Sequence, residues 1–176
     1  MTLQDENASI SAGDPTDRLY VNGLRLDWMS PTNAVPQPIA AFGRALLGDG
    51  QQRIGFGLSQ QIYTPLNTGL TIPDPHDRPY AGYLTANLSL LSDTDTTRSV
   101  MVLSLGVVGP AAGGEDLQDG FHDLIGQGHA KGWDAQIGNT AAIELMAERT
   151  WRLPLAPLAG LETDVLPALT VGVGDV

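Results

Sequence analysis

The sequence contains no cysteine and a single lysine, Lys131. Without cysteine there are no disulfides, no thiolate metal sites and no cysteine nucleophile. Nine basic residues stand against twenty acidic ones, a formal net charge of -11. Such a chain lacks the Lys/Arg surface that phosphate-backbone binding requires, so nucleic acid is excluded as a partner. No apolar run approaches the ~18 residues of a membrane-spanning helix. That absence leaves a transmembrane β-barrel open, because barrel strands carry only a weak alternating signal. The opening residues, MTLQDENASIS, have neither a basic n-region nor an apolar h-region, and no secretory leader is expected in them. HExxH, GxSxG, P-loop and EF-hand patterns are missing as well, which removes the zinc-protease, serine-hydrolase, NTPase and calcium-hand sites they mark.

What is present points to strands. A length of 176 residues suits one domain with a real core, and 21 glycines with 12 prolines favour turns and short strands over a helical bundle. Leu24, Leu26 and Trp28 alternate with Gly23, Arg25 and Asp27; Ile54, Phe56 and Leu58 alternate with Gly55, Gly57 and Ser59. Leu84, Ala86, Leu88 and Leu90 oppose Thr85, Asn87 and Ser89 in the cleanest case. Met101, Leu103, Leu105 and Val107 continue the pattern, with Val100 and Val102 blurring the other face. Ile143, Leu145, Ala147 and Trp151 oppose Glu144, Met146, Glu148 and Thr150, and Val165–Val173 is a further candidate, interrupted by Pro167, which belongs at an edge or a strand start. One apolar face against one small or polar face fits half-buried antiparallel strands of a soluble sandwich, and equally a barrel facing lipid outward around a wet lumen.

Two helices are expected between the strands. Pro36–Leu47 places Ile39, Phe42 and Leu46 on one side, with Gly48 as a stop. Glu115–Ile125 places Leu117, Phe121, Leu124 and Ile125 in one stripe, with acidic residues in its first turn as the helix dipole prefers. The loop Asn67–Asp77 is Pro-rich and reads as an ordered turn region.

On the second helix Gln118 and His122 lie one turn apart, in a chain with three histidines. An amide in that position can fix the imidazole tautomer, and His122 can then act as a general base on water. These residues alone leave His122 equally readable as a solvated helix histidine. His76, beside Asp74, Asp77 and Arg78, reads as a loop histidine, and His129, in a glycine-rich turn, as an exposed one. Asp5, Glu6, Asn7, Asp14 and Asp17 offer oxygen donors of the kind calcium takes, although acidic loops are usually just solvated.

Six motifs in order, TDRLYVNGLRLDW, QQIYTP, DRPYAGYL, LGVVGPAAGGEDLQDGFH, GWDAQI and LPALTVGVGDV, resemble the lipid A deacylase family of outer-membrane enzymes. The resemblance runs from about Glu6 to the last residue. It implies an all-β fold, a twelve-stranded antiparallel transmembrane β-barrel of the outer-membrane type in a Gram-negative bacterium. It also implies calcium-dependent removal of the 3′-linked acyloxyacyl chain of lipid A in lipopolysaccharide, at a site where a helical loop packs on the barrel wall. By this resemblance His122 is the general base, Gln118 and Asn7 belong to the catalytic set, and membrane lipid is the surrounding medium.

Three features depart from the family pattern. Ala8 follows Asn7 where an aspartate is usual, Val21 stands where the family tends to have threonine, and no basic residue occurs among Asn67, Thr68 and Gly69. An alternative reading is therefore a catalytically inactive outer-membrane barrel with a lipid-binding or structural role. Only about six strands and two short helices are expected here, the N-terminal half of such a barrel, so a second chain or a further segment is expected to close it.

Overall fold

The computed structural model describes residues 1–7 and 20–175. In chain order they form β1 (Thr2–Asn7), β2 (Tyr20–Met29), α1 (Gln37–Leu47), β3 (Gln51–Tyr63), β4 (Ala81–Asp93), β5 (Thr97–Val108), α2 (Gly114–Ile125), β6 (Thr140–Trp151), β7 (Leu153–Pro154), β8 (Asp164–Val165) and β9 (Ala168–Gly174). Seven strands make one sheet in the order β1-β2-β3-β4-β5-β6-β9, and β7 pairs with β8 apart from it. The outermost pairs, β1 with β2 and β6 with β9, are antiparallel. β1 and β9 are the two edges and do not pair with each other, so the sheet is not closed among the described residues.

Every alternating segment of the sequence is a strand, and both expected helices are present. β1 was not among them: TLQDEN has one apolar residue and no alternation, and its extended form comes from pairing along β2, from Thr2 opposite Asp27 to Asn7 opposite Asn22. The stretch expected as Val165–Val173 is divided. Pro167 has no N–H for a ladder, so β8 stops at Val165 and β9 begins at Ala168, with the Pro167 carbonyl accepting from the Trp151 N–H at 2.9 Å.

The chain divides into two compact units. In the unit made of Trp28–Phe56, Asn87–Ser104 and Ile143–Val176, Trp28 and Phe56 stack at 5.7 Å on an exposed face that also carries Leu88, Leu145 and Val171. The opposite face is small and polar. Gly55 lies under the Ser89 hydroxyl, which occupies the place a side chain would take, and Glu148 accepts from Thr150 and Thr170 at 3.3 and 3.1 Å. α1 begins after Pro36, carries a proline in its first turn and ends at Gly48, whose φ of 92° only glycine adopts readily.

The other unit comprises Met1–Asp27, Gly57–Ala86 and Leu105–Ala142. Leu24, Leu26, Leu58 and Leu105 are exposed, whereas Thr85 on the opposite face is buried and packs on Gly106. Its core is Ile62, Tyr80 and Trp133, with Val21, Leu117 and Ala130 packed around them. The Tyr80 and Trp133 rings are 4.8 Å apart. α2 starts against β4 at two facing glycines: a Cβ on Gly82 would lie 2.9 Å from the Gly114 nitrogen, and one on Gly114 would lie 2.8 Å from the Gly82 Cα. Gly82→Ala is therefore expected to push α2 off the strand and to destabilise the fold by about 1–3 kcal/mol, the usual cost of overpacking, read as a lower urea midpoint in detergent micelles.

Candidate active site

α2 is set in place at both ends by backbone that only glycine supplies easily. Gly113 before it and Gly126 after it are both left-handed, with φ of 67° and 70°. Glu115 and Asp116 occupy its first turn and complement the helix dipole. Partial desolvation, and then the carboxylates of Asp119, Asp134 and Asp116, push the Glu115 carboxyl above its ordinary range. Past Gly126 the chain doubles back, with the Gln127 N–H donating to the His122 carbonyl at 2.9 Å.

Gln118 is buried at 9% exposure, and the Trp133 Nε1–H donates to its Oε1 at 2.8 Å. The amide is thus orientated by the core, and its NH2 is the end left to donate. His122 is held by a different partner. Its Nδ1 lies 2.8 Å from the Gly128 carbonyl oxygen. A carbonyl can only accept, so Nδ1 carries the hydrogen and, in the neutral ring, Nε2 carries the lone pair. The sequence reading gave Gln118 the task of fixing the tautomer; the structure gives it to Gly128, because the Gln118 oxygen is already taken by Trp133.

Gln118 and His122 line one cleft of about 150 Å³ together with Asp5, Val21, Asn22, Leu24, Ile62, Leu117 and Phe121. Asn7 closes β1 opposite Asn22 in the strand register. Asn22 donates through Nδ2 to Asp5 at 3.4 Å, while its Oδ1 is buried with no hydrogen-bond partner among the described residues. Ala8, Asp14 and Asp17 lie outside the described residues. His76 stays in its loop, its Nδ1 3.2 Å from Asp74, and that loop is ordered as expected by Asp77, which accepts from the Leu66 and Arg78 N–H groups. His129, expected to be merely exposed, bonds Asp123 at 2.8 Å and lies 3.4 Å from Asp119.

Sequence reasoning did not single out Asn22, Trp133 or Gly128. Asn22 and Trp133 sit inside the motifs YVNG and GWDAQI, so the signal was at hand; Gly128, acting through a main-chain carbonyl, leaves none.

Residues 1–176 match the family model described as outer membrane protein LpxR. The chain belongs to the LpxR family. Among solved structures, LpxR from Salmonella typhimurium aligns with a TM-score of 0.71 and 23% identity, over 91% of this chain and 50% of that one. This chain thus spans half the length of that LpxR, and at such identity the likeness speaks for the fold: a mostly antiparallel β-sheet of the LpxR barrel type with two helices. No curated protein matches. With the fold and the family established, the Trp133–Gln118 bond can be tested directly. Trp133→Phe keeps an aromatic ring but strands a buried amide oxygen, and is expected to cost about 1–3 kcal/mol in denaturant unfolding.

Proposed function

We propose that this protein hydrolyses the 3′-linked acyloxyacyl ester of lipid A in the outer membrane of a Gram-negative bacterium, with His122 as the general base. The observation that carries the reading is the His122–Gly128 bond, which leaves Nε2 as the basic nitrogen of a side chain lining a cleft shared with Gln118. His122 Nε2 takes a proton from water as the water oxygen attacks the ester carbonyl. The same nitrogen then returns the proton to the departing alkoxide, so that acid and alcohol are released. The Gln118 NH2 is suited to orientating the water or the ester oxygen, and Asn7 is the third member of the set. Leu24, Leu58, Phe56, Leu88 and Val171, exposed on the strands, suit acyl chains and bilayer lipid rather than water.

A calcium ion is the cofactor that suits this chemistry. No group of three or more His, Asp or Glu side chains gathers for a metal among the described residues. Even so, the Asp5 carboxylate and the Asn22 Oδ1, which has no partner among the described residues, are hard oxygen donors on neighbouring strands of the cleft, and they fit such an ion. When bound, it supplies a Lewis acid for the oxyanion that develops on the carbonyl. In lipid, the β1 and β9 edges also need covering, by a further segment or a second chain.

A second reading, a barrel that binds lipid without hydrolysing it, is favoured by Val21, which lines the cleft and packs on the core without offering a hydroxyl. Mass spectrometry of lipid A incubated with the protein in detergent decides between them. The expected result is loss of the 3′-acyloxyacyl group with calcium and none with chelator, reduced about 100-fold or more in His122→Ala, the range a general base contributes. Unchanged lipid A in both conditions would leave the non-catalytic reading, and gain of hydrolysis in Val21→Thr would then mark a site that lost its hydroxyl.

A further inference from the structure

The second histidine of this region is not used by the reaction above, yet it is the most heavily engaged of the three. His129 points Nε2 at the Asp123 carboxylate, 2.8 Å away, and Nδ1 at that of Asp119, 3.4 Å away. Carboxylates only accept, so the Asp123 bond needs a hydrogen on Nε2, and the second carboxylate beside Nδ1 favours the imidazolium, held between two residues of α2 one turn apart. The residue immediately before it is Gly128, whose carbonyl holds His122. On the far side, the Lys131 N–H donates to the Thr68 carbonyl at 3.0 Å, and at the near end Gln127 is tied to the His122 carbonyl. Gly128 is thus flanked by two ties to α2, that of Gln127 through its main chain and that of His129 through its side chain, and the second is the one that protonation can change.

We propose that His129 is a positioning residue for the base: by bridging Asp123 and Asp119 it closes the turn that presents the Gly128 carbonyl to His122 and so selects the His122 tautomer. Its consequence for turnover rests on the deacylase reading; its consequence for the tautomer does not. The two histidines then work in opposite protonation states. His122 must be neutral to accept a proton, whereas His129 must be charged to hold the turn. The hydrogen bond to Asp123, with the charges of Asp119 and Asp123, holds the His129 imidazolium to higher pH than an ordinary histidine. Asp119 and Asp123 are the charged groups that face the ring, Glu115 stands one turn behind Asp119, and Lys131 follows on the same turn. With its pKa raised by these partners, the clamp is complete below the ordinary imidazole value and is lost as pH rises through the raised one. Activity should therefore have a basic limb from His129.

The test uses the full chain in detergent micelles with nitrogen-labelled histidine, whose NMR shifts separate the two neutral tautomers. The wild type is expected to show His122 in the Nδ1–H form, drifting to a mixture as His129 titrates. His129→Ala should show the mixture wherever His122 is neutral, and His129→Lys, which keeps a cation that does not titrate in this range, should retain the Nδ1–H form past the pH at which the wild type loses it. His129→Gln, uncharged and of similar size, replaces the alanine variant if that one misfolds. In the deacylase assay the uncharged variants are expected to lose about 10- to 100-fold in kcat, the range for a residue that orientates a functional histidine, with KM little changed and the basic limb removed. A His122 that keeps its Nδ1–H tautomer in the uncharged variants overturns the proposal. A tautomer that responds as stated in a protein that never releases acyl chains would uphold the clamp and overturn the deacylase reading alone.

Discussion

The hydrogen bond from the Trp133 indole to the Gln118 amide is the interaction on which the site depends. It joins the most deeply buried aromatic pair, Tyr80 and Trp133, to the middle of α2, and does so inside the core, where a lost partner leaves a bare polar atom. Gln118 is therefore fixed in orientation and α2 in rotation about its own axis. Once that rotation is set, His122, one turn further on, comes to the cleft beside Asp5, Asn22 and Val21. The paired glycines at 82 and 114 serve the same end from the other side, since only the absence of two side chains lets the helix start so close to the strand.

The distribution of polarity on the strands is the second constraint. In a soluble sandwich the alternating leucines would be the buried set. Here Leu24, Leu26, Leu58, Leu88 and Leu105 are exposed, while Thr85 is buried and Gly55 and Gly106 sit under neighbouring polar side chains. Alternation by itself is symmetrical between the two architectures. The side on which it is buried is not, and that side agrees with membership of a family of outer-membrane proteins.

The departures from the family pattern look different once the cleft is assembled. Ala8 lies outside the described residues, but Asp5 offers a carboxylate to the cleft, next to an Asn22 oxygen that has no hydrogen-bond partner among the described residues. Val21 is not simply a lost hydroxyl, for its side chain packs against the Ile62, Tyr80 and Trp133 cluster.

Much of this was legible from the residues alone. Strand and helix positions followed from periods of 2 and 3.6, because faces buried differently impose those periods on any chain. The placing of Gln118 and His122 on one helix followed from their spacing, and the family from six motifs in order. The strand β1, polar except for Leu3, was invisible because its shape is imposed by its partner rather than by its own pattern. The partners of the two site residues were invisible for a related reason. A main-chain carbonyl such as that of Gly128 carries no side-chain signature, and the indole of Trp133 reaches Gln118 from fifteen positions along the chain. Sequence by itself determined that Gln118 and His122 would lie one turn apart on one helix. Only the tertiary structure decided which atom holds which, because hydrogen bonds are satisfied by whatever donor or acceptor the fold brings within about 3 Å, whatever its distance along the chain.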